Sequence, residues 1–136
     1  MRKLLILYIV VIIILSVGCT VNRPEINDES LKGSAQIMES NEEIEEAEVI
    51  IEKDEINFYI VPSNDQVPRE RLRELSANFL KVLSGYTASE DLLGPSDESF
   101  GEIYDYYDVE IIIEGYREVL DKGNKDKGDP EIQWEQ

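Results

Sequence analysis

Histidine is absent from the 136 residues, and cysteine occurs once. Without histidine, Ser-His-Asp and Cys-His catalysis and the usual zinc sites are excluded. A lone thiol cannot close an intramolecular disulfide, so the core has to hold without a covalent staple. Positive charge is also scarce: 13 basic residues face 30 acidic ones, a formal net charge of −17. That balance argues against nucleic acid, whose phosphates collect Lys and Arg clusters, and against a chain that lies flat on an anionic membrane. No Gly-rich loop is present to cradle a phosphate, and no internal repeat is detectable. A pair of carboxylates can in principle hydrolyse a glycoside, but with thirty acids in the chain such pairs arise by chance. The expectation is a protein that is not an enzyme and carries no cofactor, with a carboxylate-dependent hydrolase as a remote alternative.

The chain begins with an address. Arg2 and Lys3 lead into an unbroken apolar run over residues 4–15, closed by Ser16, Val17, Gly18 and Cys19. A basic start, a short apolar core and a small-residue close make an export signal. The run falls short of the roughly twenty residues that a comfortable bilayer span needs, and no second long hydrophobic run comes after it. Leu15-Ser16-Val17-Gly18-Cys19 resembles the lipobox of bacterial lipoproteins, with Ser16 where that family more often has leucine. The resemblance covers the signal alone. It implies that residues 1–18 are removed, that Cys19 receives a diacylglyceryl group, and that the protein is lipid-anchored on the extracytoplasmic face of the cell membrane. Two acyl chains anchor stably where one binds marginally. Thr20 is next to the cysteine, so the retention aspartate of some Gram-negative lipoproteins is missing. Loss of Arg2 and Lys3 leaves eleven basic and thirty acidic residues, a net of −19.

Beyond the signal, residues 19–46 are poor in large apolar groups and read as an acidic, flexible tether. A coil of that length spans roughly 30 Å and holds the rest of the chain away from the bilayer. Within it, Ile37, Met38, Ile44 and Ala47 recur at helical spacing, and Glu42, Glu43, Glu45, Glu46 and Glu48 form an acidic run. Such a run reads as a solvated spacer, with cation or basic-peptide binding as the sharper alternative. Residues 47–136 are expected to form a single α+β domain of about ninety residues, a size that folds alone with modest stability.

The domain's pattern starts with two β-branched segments, residues 49–51 and 56–61. The second alternates Ile56, Phe58 and Ile60 with Asn57, Tyr59 and Val61. They suit an antiparallel hairpin, although neither Asn-Gly nor Asp-Gly fixes its turn. Leu72, Leu75, Phe79, Val82 and Leu83 then recur at threes and fours, which predicts a helix over residues 67–84 with Pro68 in its first turn and Gly85 at its end. Residues 86–102, with Gly94 and Pro95, are expected to be a long loop. Its Asp97, Glu98 and Glu102, near Asp105 and Asp108, invite a metal reading, but neither this spacing nor that of residues 124–129 matches the twelve-residue calcium loop. Residues 103–114 read as the longest strand, 116–120 as a fourth, 121–129 as a polar turn, and Ile132 with Trp134 as a short final strand.

The expected architecture is therefore a small two-layer sandwich in the order β-β-α-β-β, an antiparallel sheet of about four strands with one helix on one face. Parity places Tyr59, Tyr104, Tyr106 and Ile112 on the open face. Tyrosine favours half-exposed strands, and aromatic groups are also enriched where proteins recognise partners. Arg69, Arg71 and Arg73 cluster on the helix beside Glu70 and Glu74, either as intrahelical pairs or as a docking edge. The expected function is a lipid-anchored extracytoplasmic binding or accessory module of the bacterial envelope. Its partner surface would be Tyr59, Tyr104, Tyr106, Ile112, Arg69, Arg71 and Arg73, the membrane would be reached through acylated Cys19, and the partner would be an envelope protein. The alternative is a cation- or small-ligand-binding lipoprotein that uses the acidic loop.

Overall fold

A computed structural model describes residues 22–136. The signal and Cys19 lie outside the described residues. The elements in order are helix α1 (Asp28–Glu39), strands β1 (Ile44–Glu52) and β2 (Glu55–Pro62), helix α2 (Arg69–Thr87), a short 3-10 turn (Glu102–Asp105), and strands β3 (Asp108–Glu114), β4 (Val119–Lys125) and β5 (Gln133–Trp134). The five strands form one sheet in the order β1-β2-β3-β4-β5. Both helices pack in one layer against it, α1 against β1 and α2, and α2 against β2. The α+β class and the single helix-covered sheet are as expected, but the sheet is mixed and there are two helices.

The parallel pair is β2 with β3. Helix α2 causes it: a 19-residue helix carries the chain back along the sheet, so the next strand must start at the same end as the last. The other pairings are antiparallel. The β1–β2 hairpin is as expected, with β1 longer than residues 49–51. Its turn, Lys53-Asp54, holds Lys53 at φ 57°, a conformation that a side chain with a Cβ resists.

Residues 28–46 are not a flexible tether. Asn27 caps α1 by accepting from the Ser30 N–H at 2.8 Å, and Asp28 and Glu29 suit the positive end of the helix dipole. The buried positions of α1 are Ser30, Ser34 and Met38, two of them small hydroxyls, so the apolar stripe that announces a packed helix is nearly absent. Small groups let α1 approach closely. A Cβ on Gly33 would lie 2.7 Å from the Tyr86 ring of α2. Ile44 and Ala47, at helical spacing from Met38 in the sequence, are buried in β1 instead.

Beneath the helices lies one apolar core. Ile56, Phe58, Ile60, Ile111, Ile113, Phe79, Leu80 and Leu83 are fully buried, and the Phe58 and Phe79 rings meet edge to face at 4.9 Å. Helix α2 runs two residues beyond Gly85 to Thr87, since an exposed glycine tolerates helical geometry when nothing forces a left-handed turn. The strand expected at residues 103–114 begins only at Asp108. Gly101, at φ 119°, instead starts the 3-10 turn.

The last part of the sheet differs most from expectation. Residues 115–118 form the turn, with the Gly115 N–H donating to the Glu118 carbonyl, and β4 occupies residues expected to be a polar turn. Its inward positions are Asp121, Gly123 and Lys125, so polar residues fill the side that faces the helices. Each is accommodated. Arg73 of α2 donates to both carboxylate oxygens of Asp121 at 2.6 and 3.3 Å. Trp134 of β5 lies over Gly123, where a Cβ would come within 2.9 Å of its ring, and the Arg73 guanidinium lies 5.0 Å from the centre of that ring. The Lys125 ammonium lies 5.6 Å from the centre of the Tyr104 ring and donates to the Tyr104 carbonyl.

Candidate binding face

The second face of the sheet carries neither helix. Register places four rows of side chains on it. Glu52, Glu55 and Asp108 form one; Ile50, Asn57, Glu110 and Asn124 the next; Glu48, Tyr59, Ile112 and Lys122 the third; and Glu46 with Val61 the last. An apolar strip of Ile50, Tyr59, Val61 and Ile112 thus runs among carboxylates, and Lys122 is the basic residue that register adds. Beside the strip, Glu46, Glu48, Ile50, Tyr59, Val61 and Glu114 line a shallow hollow of about 540 Å³.

The field of this face acts on two of its own groups. The Glu55 carboxyl is raised above the ordinary carboxylate value, first by burial and then by the negative charges of Glu110, Asp108 and Glu52, with a hydrogen bond from Asn57 partly opposing the rise. The Tyr59 hydroxyl is likewise raised, by burial first and then by Glu52, Glu110, Glu114 and Glu48. Asn57 itself is 4% exposed, and its Oδ1 accepts no hydrogen bond. Strand alternation puts Asn57 on the same side as Tyr59 but gives it no role. Its signal in the sequence is a polar amide in the middle of an otherwise apolar strand.

Of the residues expected on this surface, Tyr59 and Ile112 are there and are direct neighbours across β2 and β3. Tyr104 is not: it is 1% exposed, lies in the 3-10 turn, and donates its hydroxyl proton to the Leu80 carbonyl at 2.6 Å. Tyr106 comes after that turn and packs, half-buried, against the core. Strand parity misplaces both because the strand starts after them.

The arginines do not form a free cationic edge. Arg71 pairs with Glu43 at 2.8 Å and Glu74 at 3.1 Å, Arg73 pairs with Asp121 at 2.6 Å, and Arg69 donates to the Leu120 carbonyl at 3.1 Å. They fasten α2 to the turn before β1 and to β4. In the loop, the Glu102 carboxylate accepts from the Leu93 N–H at 2.8 Å, which binds the loop to itself. Among the described residues, no three carboxylates or thiols converge as a metal-holding group, and no helix is long and apolar enough to cross a membrane. The chain matches no known protein family, no curated protein and no solved structure.

Proposed function

We propose that this chain is a lipid-anchored, extracytoplasmic binding or accessory module of the bacterial envelope that recognises a protein partner through the open face of its sheet. The observation that carries this reading is the face itself: an apolar strip of Ile50, Tyr59, Val61 and Ile112, framed by carboxylates and left without a helix. Contiguous apolar surface rimmed by polar groups is what a recognition site presents.

The fold also changes the geometry of the anchor. The Pro24 carbonyl is already held by the Tyr107 hydroxyl at 2.7 Å, so an acylated Cys19 is five peptide steps from the packed domain. Those steps reach at most about 18 Å. The partner surface then works close to the bilayer, which suits a partner that is itself in or on the membrane.

Two experiments on the full chain in its native envelope test this reading. Cys19→Ala is expected to move the protein out of the membrane fraction; unchanged fractionation removes the lipid anchor. A photo-crosslinking residue at Ile50 is expected to capture a discrete envelope protein that the same residue at Asp97, in the exposed loop, does not. Equal capture from both positions, or none from Ile50, removes the open face as the recognition surface.

A further inference from the structure

We infer that the occupant of the open face is a basic protein segment, one that offers Lys or Arg side chains to the carboxylate rows and to the Asn57 Oδ1, and apolar side chains to the strip between them. The inference rests on the reading of this face as a recognition surface, and it names the chemistry of the partner.

Charge complementarity is the first support. Glu46, Glu48, Glu52, Glu55, Asp108 and Glu110 all point from this face, and register opposes Glu55 to both Glu52 and Asp108. Like charges directly across strands are destabilising, so the face lowers its energy when a cation arrives. The same repulsion turns away a second copy of this chain, an anionic lipid surface and nucleic acid. A single metal ion fits poorly, because among the described residues no three of the carboxylates converge on one point. A partner that distributes several positive charges along two or three strands matches the spacing.

Asn57 is the second, independent support. A buried acceptor without a partner opposes folding, so the fold alone gains nothing from this oxygen. It lies between Ile50 on one side and Glu110 on the other, with Glu55 two residues away on the same strand and face. An ammonium or guanidinium drawn to Glu55 and Glu110 arrives beside this acceptor, which neighbouring side chains cover in the free chain and have to uncover on binding. The other unpartnered buried oxygen among the described residues, Ser84 Oγ, is not on this face: it belongs to α2 and is pressed against Gly101, where even a Cβ would clash.

The test uses the full-length chain in non-ionic detergent and three probes: a synthetic peptide of alternating lysine and leucine, spermine, and calcium chloride. The peptide is expected to bind, to weaken as salt rises from roughly 0.05 to 0.5 M, and to lose about tenfold in affinity with Asn57→Leu, the size of one hydrogen bond to a charged group. Asn57→Leu is expected to stay folded, because it loses an unsatisfied acceptor together with the amide's hydrogen bond to Glu55; a cooperative thermal melt checks this. Glu110→Gln, half-buried on the neighbouring strand, supplies a second variant and should weaken the peptide as well. Unchanged affinity in both variants overturns the inference, as does a peptide that does not bind. Binding of spermine or calcium without the peptide also overturns it, making the face a small-cation site. Crosslinking from Ile50 separates the two readings: specific capture there with no peptide binding keeps the recognition surface and rejects its basic occupant.

Discussion

The two faces of the sheet are built from alternate residues of the same strands, yet they obey different rules. On the covered face of β2, Ile56, Phe58 and Ile60 are fully buried, and where charge enters that layer it finds a partner, Asp121 in Arg73 and Lys125 in the Tyr104 ring and carbonyl. On the open face, one residue along, Asn57 keeps an unpartnered oxygen and carboxylates oppose carboxylates across the strands. Folding accounts for the first arrangement. The second works against folding, and local conflict of that kind is expected where a surface serves another purpose.

The sharpest way to break the comparison is to truncate neighbouring residues. Phe58→Ala removes a ring packed on Phe79 and Tyr104 and is expected to cost about 3–5 kcal/mol, a large part of the stability of a domain this size. Tyr59→Ala, adjacent in sequence but on the open face, is expected to cost roughly 1 kcal/mol or less. Urea unfolding of both variants measures the difference. Equal losses would show that the open face is as much a part of the core as the covered one.

Arg73 tests how the covered layer tolerates charge. The Asp121 side chain is only 3% exposed, so Arg73→Met leaves a buried carboxylate with only the more distant Arg69 guanidinium at 3.8 Å and the Lys122 N–H at 3.0 Å, and is expected to cost about 3 kcal/mol. The double change with Asp121→Leu is expected to recover most of that loss, because removing both charges removes the desolvation penalty with them. Denaturant midpoints for the two variants decide it. If the double variant is no better than the single one, the pair is not what secures β4 to α2.

The same contrast explains which parts of the fold are legible in the sequence. The hairpin and α2 are readable because Ile56, Phe58, Ile60, Leu72, Leu75, Phe79 and Leu83 display apolar period on elements with one buried side. Helix α1 is hidden because its buried side is Ser30 and Ser34, which carry no hydrophobic signal. Strand β4 is hidden because its inward residues are Asp121, Gly123 and Lys125, whose partners arrive from α2, the 3-10 turn and β5 and are distant in sequence. The parallel pairing of β2 and β3 comes from the length of α2, and a reading that gives an antiparallel sheet a 19-residue crossover misses that consequence. Of the candidate site, parity finds Tyr59 and Ile112 because they sit on true strands, and it fails for Tyr104 and Tyr106 because it extends the strand too far. The free oxygen of Asn57 is beyond any pattern, since only the packed neighbours show whether an amide is satisfied.

The smallest predicted effect concerns Glu55 and the acidity of the medium. Its carboxyl is raised from the ordinary value of 4.5 by burial and by Glu110, Asp108 and Glu52, so the folded state holds the proton more tightly than the unfolded chain does. The stability that this proton supplies is fully present below the ordinary value and is lost as pH rises through the raised one. Glu55→Gln removes the charge while keeping the shape, so its melting temperature is expected to match the parent's at low pH and to exceed it at neutrality. The gain should be a few tenths of a kcal/mol, the scale of one like-charge pair across strands, and added salt should shrink it because the group is half-exposed. Thermal melts at the two acidities and at two salt concentrations measure it. A variant less stable than the parent at neutral pH would mean that the carboxylates of the open face support one another through the fold, and the contrast between the two faces would lose its electrostatic half.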